Sequence, residues 1–231
     1  MENYSLSRNL NTELEFRGLS YAKKVFKDMF SDLALEKANA YLNEERLILE
    51  KLVRDTPKTR NMNFCVVGGG PFSYLSLASK YFNKYTLIDP HLHCFMNETF
   101  LKSMEKLEKI KCIECIEKSF EDYCQTYSTS FTPTNTFYVF WFNVISYIQN
   151  PIEWLNQIVK PGDIVFISKW GSSEIAQKTL KNYFERVNND DKENNHQVLP
   201  ALPNLPFGKL YQTSGIRYIN QKVTNIIVAY I

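Results

Sequence analysis

Glycine is scarce in this chain, eight in 231 residues, and three of the eight stand in one run, Gly68-Gly69-Gly70, followed by Pro71. The run lies between two differently patterned segments. Asn63 to Val67 (NFCVV) is short and β-rich, whereas Phe72 to Phe82 carries apolar residues at helical spacing. Backbone without Cβ atoms turns sharply and lets a bound group approach the amides at a helix N-terminus. Twenty-one residues after Gly68, where a second β-like run, Lys84 to Ile88 (KYTLI), ends, stand Asp89 and Pro90. A carboxylate at that place can accept hydrogen bonds from the two hydroxyls of a ribose. The bland alternative is a tight turn and a helix-capping aspartate.

The rest of the pattern repeats strand and helix. A helix is expected from about Met96 to Lys109, strands at Lys111 to Ile116 and at Thr136 to Phe142, a helix at Ile152 to Val159, a strand at Ile164 to Ser168 and a helix from about Ser173 to Val187. Such alternation predicts an α/β fold with a parallel sheet. Asn188 to Asn195 holds no apolar residue and reads as an exposed loop, Leu199 to Gly208 is Pro-rich, and two closing β runs separated by Asn220-Gln221-Lys222 predict an antiparallel hairpin. Residues 12 to 54 read as helix, with apolar residues at Ala38, Tyr41 and Leu42 and then Leu47, Ile48, Leu49 and Leu52, and a break is expected near Asn43. Asp55-Thr56-Pro57 ends that pattern, so residues 1–60 are expected to form a helical cap and 61–231 the α/β domain.

Composition excludes several classes. The 27 basic and 25 acidic residues nearly cancel, so no global field points to nucleic acid or an anionic membrane. No apolar stretch reaches the roughly 18 residues of a membrane span, and the N-terminus lacks the pattern of a secretion signal; a cytoplasmic location is expected. Five cysteines without a regular framework fit reduced thiols.

A dinucleotide fingerprint would place glycine or alanine where Ser73 stands. The later landmarks are Ser119-Phe120-Glu121 after the third strand, Phe142-Asn143 closing the fourth, and Lys160-Pro161-Gly162-Asp163 before the fifth. With VVGGGP (Val66 to Pro71) and IDP (Ile88 to Pro90), this series resembles the class I S-adenosylmethionine-dependent methyltransferase family over roughly residues 60 to 231. The KPGD turn is similar to that family's KPGG. The resemblance implies a Rossmann-like, doubly wound, seven-stranded sheet with a C-terminal antiparallel hairpin, and S-adenosylmethionine as cofactor. It implies cofactor contacts from Gly68, Gly69, Gly70 and Pro71 (methionine part), Asp89 and Pro90 (ribose), Ser119, Phe120 and Glu121 (adenine border), and Phe142 and Asn143 (methyl donor). The family's acidic residue two before the first glycine is here Val66. The Gly-Gly-Pro turn also resembles that of nicotianamine-synthase-like enzymes, which donate an aminobutyrate group from the same cofactor.

Displacement at a sulfonium carbon asks mainly for alignment, but an amine or phenol acceptor must lose a proton. His91, His93, Glu121 and Tyr147 stand near strand ends, with His91 and Tyr147 as the catalytic candidates. Tyr21, Phe26, Tyr147 and Trp170 are candidate substrate contacts, and Phe142, Tyr147 and Trp170 could wall a cation cage, against the plainer alternative of core packing. Cys112-x-x-Cys115 with His91-x-His93-Cys94 could be drawn as zinc ligands, but i and i+3 on a strand face opposite ways, and no metal is expected. The run Phe142-Asn143-Val144-Ile145 lacks the two prolines that nucleic-acid N-methyltransferases of this fold carry. A small-molecule acceptor is therefore expected, with no nucleic-acid or membrane partner. The alternatives are aminobutyrate transfer, a catalytically silent partner-binding subunit and a dinucleotide oxidoreductase. The Pro-rich segment could be a lid or a dimer contact, so a homodimer is one assembly the sequence allows.

Overall fold

The computed structural model describes residues 32–68, 74–92, 110, 112–127, 134–189 and 214–231. The predicted helix over 96–109, the loop from Asn188, the Pro-rich segment and the start of the first hairpin run fall wholly or largely outside these. So do Gly69, Gly70, Pro71, Tyr21, Phe26, His93 and Cys94.

Helix α1 (Asp32–Asp55) runs for 24 residues without the break expected near Asn43. No glycine or proline interrupts it, and Ala38, Tyr41, Glu45, Leu49 and Val53 recur every three or four residues with no exposed surface. Leu47, expected on that stripe, is instead 67% exposed. After the helix, Lys58 takes a left-handed conformation and a 3-10 turn (Thr59–Asn61) leads into the sheet.

Seven strands form that sheet: β1 (Asn63–Val67), β2 (Lys84–Ile88), β3 (Cys112–Ile116), β4 (Thr136–Phe140), β5 (Ile164–Trp170), β6 (Gly215–Asn220) and β7 (Thr224–Tyr230). Their order is β3-β2-β1-β4-β5-β7-β6. Strands β1 to β5 are mutually parallel, and β7 runs antiparallel to both β5 and β6. The predicted α/β class, parallel sheet and closing hairpin are all present. Every residue of β1 and of β4 is buried, as strands covered on both faces require.

Two apolar layers cover the sheet. On one face, α1, helix α2 (Leu75–Tyr81) and helix α5 (Glu174–Asn189) pack over Phe64, Val66, Phe82, Phe137 and Phe166. The rings of Phe64 and Phe82 approach to 4.7 Å, an aromatic contact worth about 1 kcal/mol beyond its area. On the other, helices α3 (Phe120–Tyr127) and α4 (Pro151–Ile158) pack over Cys65, Val67, Tyr138 and Phe140. Aromatic residues make up 14% of the chain, and many of those described are core. Because Ala38, Leu49 and Val53 of α1 enter the same cluster as Phe64 and Val66, helix and sheet share one interior.

The Lys160-Pro161-Gly162-Asp163 turn fastens the opposite end of the sheet. Gly162 has φ 93°, and a Cβ there would stand 2.2 Å from the Asn135 side chain. Asp163, buried, accepts the Thr136 amide at 2.7 Å and the Lys160 amide at 3.0 Å, tying β4 to β5. Burial pushes its carboxyl up to about 6. Replacing Asp163 with Ala strands the buried Thr136 N–H and the half-buried Lys160 N–H, and the expected loss is about 2–3 kcal/mol in chemical denaturation.

Candidate functional site

Strand order places a topological switch point between β1 and β4: from β1 the chain moves outward through β2 and β3, then returns to β4 on β1's other side. Ligands of open α/β sheets bind in the crevice at the carboxyl ends of such strands. Gly68 follows the last residue of β1, with φ 70° and its amide donating to Ile88 O at 2.8 Å. A Cβ on Gly68 would stand 2.2 Å from Val144 Cγ2, so this close approach of backbone to the segment after β4 admits glycine alone. The Trp141 indole N–H donates to Gly68 O, joining the tips of β1 and β4.

One strand over, Asp89 leaves β2 with its side chain buried, and Asp89 Oδ1 accepts the His91 amide at 2.7 Å. Pro90 beside it is exposed. At the end of β3, Ser119 Oγ accepts the Asp122 amide at 3.0 Å and caps α3. Phe120 turns into the core against Phe140, and Glu121 accepts the Gln149 amide at 3.1 Å, linking α3 to the loop after β4.

β4 ends at Phe140, two residues before the predicted limit. Trp141 peels away, and Phe142 and Asn143 both take left-handed backbone, φ 43° and 62°. The Phe142 N–H is therefore withdrawn from the β ladder and turned toward α1. It donates to Glu45 Oε2 at 2.7 Å. Ser168 of β5 also donates to Glu45 Oε2 and lies 2.7 Å from the Tyr41 oxygen; the Tyr74 hydroxyl donates to Glu45 Oε1. Glu45 has no exposed surface, and burial pushes its carboxyl up to about 7. Burial and the Glu45 carboxylate hold both tyrosine hydroxyls well above their ordinary range, so they stay neutral donors.

Phe142 and Trp170 are brought together with ring centroids 6.2 Å apart, but Tyr41 and Tyr183 pack onto both of them. Tyr147, half exposed, makes no ring contact among the described residues and stands at the margin beside Tyr183. Of the three rings that could wall a cation cage, Phe142 and Trp170 thus lie in a filled cluster and Tyr147 stands outside it. His91 sits at the tip of β2, two strands from β4.

Tyr41, Glu45, Tyr74 and Ser168 escaped sequence reading. The signal for Glu45 is its phase: positions 38, 41, 45, 49 and 53 lie on one helical face, and only 45 is charged. Among the described residues no three His, Cys, Asp or Glu side chains gather as metal ligands. No described helix is long and apolar enough to cross a membrane. The four described cysteines are free thiols. A groove of about 1050 Å³, lined by Leu47, Lys51, Met62, Arg217 and Tyr230 among others, opens between α1 and the β6–β7 hairpin, away from Gly68 and Asp89. The switch point is favoured over it because the convergent polar groups lie there.

No protein-family model matches the chain, and no curated protein matches it in sequence. Solved structures do match. An O-methyltransferase family protein from Burkholderia thailandensis superposes with a TM-score of 0.51 at 13% identity; the match covers 80% of this chain and 55% of that protein's length. Magnesium protoporphyrin IX methyltransferase from Synechocystis PCC 6803, solved with bound SAM, superposes with a TM-score of 0.53 at 8% identity, over 96% of this chain and 99% of that one. The fold is that of the class I methyltransferases. At these identities the likeness is one of fold. Within the class I fold, the switch point between β1 and β4 is where Gly68, Trp141, Phe142 and Glu45 meet, with Asp89 at the tip of the neighbouring β2.

Proposed function

We propose that the chain is an S-adenosylmethionine-dependent methyltransferase acting on a small molecule. The observation that carries this reading is the pairing of Gly68, where only glycine fits at the β1 tip, with the buried Asp89 carboxylate at the adjacent strand end. Adjacent strands lie about 4.8 Å apart, so a nucleoside diol held at Asp89 would extend across Gly68 toward Phe142 and Asn143. The donor set suits that group: a carboxylate acceptor for hydroxyls, an apolar Val67–Ile88 floor and, among the described residues, no cationic cluster that would ask for a phosphate. When bound, S-adenosylmethionine supplies an electrophilic carbon on sulfur. The chain's own residues position and exclude water: Asp89 orients, Gly68 lets the β1 tip turn beneath the ligand, and Phe142 with Trp141 closes the apolar side. Ser119 and Glu121 border the same crevice from β3. The near-neutral charge supports a small acceptor over nucleic acid.

Calorimetry with S-adenosylhomocysteine tests the reading. Wild-type protein is expected to bind it, and Asp89→Ala to weaken binding at least about 30-fold, or roughly 2 kcal/mol. Absent binding, or equal binding by the variant, refutes the proposal. Turnover then separates two chemistries, because methyl transfer releases S-adenosylhomocysteine and aminobutyrate transfer releases methylthioadenosine.

A further inference from the structure

Helix α1 carries a second apolar stripe besides its core face. Leu47, Ile48 and Leu52 line the groove over the β6–β7 hairpin, together with Ile219 of β6 and Tyr230 of β7, and Leu47 keeps 67% of its surface exposed there. At about 1050 Å³ the groove has the volume of a roomy small-molecule site, for which about 300–1,000 Å³ is usual. Register orders it along its length. At the carboxyl end of β5, Glu44 accepts the Val223 and Thr224 amides, and Asp55 lies about 16 Å further along the helix. Leu47 and Ile48 come within about one turn of Glu44, near the level of Ile219, which pairs with Ile226 and so lies level with Ser168. Lys51 comes about two turns after Glu44, Arg217 lies level with Val228 and Phe166, and Lys58 follows the helix. An apolar floor thus runs the length of the groove, and its cations gather toward the amino end of the strands.

The charges lining the groove are unequally engaged. Backbone amides take up Glu44 and Asp163, and Arg54 lies 3.6 Å from Asp55. The Lys51, Lys58 and Arg217 side chains are exposed and, among the described residues, enter no hydrogen bond or ion pair. Three such cations beside an apolar floor are the complement of an anion that carries a hydrocarbon chain. The C-terminus of α1, with its partial negative charge, lies at the same end, which suits a singly charged head better than a phosphate dianion.

We propose that the groove between α1 and the β6–β7 hairpin binds a medium-chain acyl carboxylate, with its head among Lys51, Lys58 and Arg217 and its chain along Leu47, Ile48 and Ile219. The carboxylate supplies the counter-charge that the three cations lack, and the chain covers the open part of the second stripe of α1. This site lies away from Gly68 and Asp89, so it stands independently of the cofactor reading.

The test is calorimetry on the full chain with sodium decanoate below its micelle concentration. Decanol, decyltrimethylammonium and decyl phosphate share the chain and differ in the head, and acetate is the head without the chain. Decanoate is expected to saturate one site and to bind at least about tenfold more tightly than decanol or decyltrimethylammonium, with no heat from acetate. Arg217→Glu and Lys51→Glu should each weaken decanoate at least about tenfold and leave decanol unchanged, whereas Leu47→Asp should weaken both. All three positions are exposed, so the variants are expected to melt as the wild type does. Equal affinity for decanoate and decanol, or decanoate binding that neither charge reversal alters, overturns the proposal. Tighter binding of decyl phosphate overturns the carboxylate. Protein that ignores decanoate but binds phosphatidylglycerol vesicles, or that dimerises in sedimentation unless Leu47 is replaced, gives the groove to a membrane surface or to a second copy of the chain, and either result also overturns it.

Discussion

Gly68→Ala should be among the most damaging single-methyl additions in the chain, costing about 3 kcal/mol. Two sources contribute: the left-handed backbone at φ 70° penalises any Cβ by about 1–2 kcal/mol, and the overlap with Val144 adds about 1–3 kcal/mol. Chemical denaturation measures the sum. The double variant Gly68→Ala with Val144→Ala removes the nearest clashing atom and should recover the overlap share while leaving the backbone share. A double-mutant cycle showing simple additivity would mean that the β1 tip and the segment after β4 are not in contact in solution. Binding of S-adenosylhomocysteine should fall more than about tenfold in the single variant, because the displaced segment begins at Phe142 and Asn143.

Glu45→Ala is expected to cost about 3–5 kcal/mol, since it leaves the Phe142 amide and the Tyr74 and Ser168 hydroxyls buried without their acceptor. For a domain of this size that is roughly 10 °C or more in melting temperature. Glu45→Gln should cost less and carries the more informative signature. The Glu45 carboxyl titrates at about 7 in the folded chain, above its unfolded value of about 4.3, so the native state holds the proton more tightly. Its contribution is fully present below about pH 4 and is lost as pH rises to about 7, by about 4 kcal/mol in total. Asp163 adds in the same direction, but only up to about pH 6. Wild-type protein should therefore lose stability on alkalinisation between about pH 6 and 7, the stretch that belongs chiefly to Glu45, and Glu45→Gln should be flat there. An equal slope in both proteins would show that another group titrates.

The sheet was legible because its signals are local. NFCVV, KYTLI and IVFIS are short apolar runs bounded by breakers, and the Asn220-Gln221-Lys222 connection is too short for anything but a hairpin. Where the reading failed, a long-range contact had overridden the local pattern. Asn43-Glu44-Glu45-Arg46 is polar throughout and interrupts the apolar stripe, so it reads as a break. The helix continues because Glu44 is satisfied by the Val223 and Thr224 amides at 2.9 Å and Glu45 by the tips of β4 and β5. TFYVFWF looks like seven residues of strand, but Phe142 and Asn143 turn away, the Phe142 amide toward α1, and nothing in their own side chains announces that. Phe120 illustrates the reverse: its place after the third strand is correct, and its ring is core because α3 needs an apolar residue against Phe140.

The paired left-handed residues at the end of β4 have a consequence for how α1 can change. Glu45 takes the Phe142 amide and Tyr41 meets Ser168 of β5 and packs on the Phe142 ring, and the two stand four residues apart on one helix face. One inserted or deleted residue between them would turn one side chain by about 100° relative to the other and take it out of reach. The helix thus acts as a ruler with a fixed phase, tolerant of substitution along its outer side and intolerant of any change of count between positions 41 and 45.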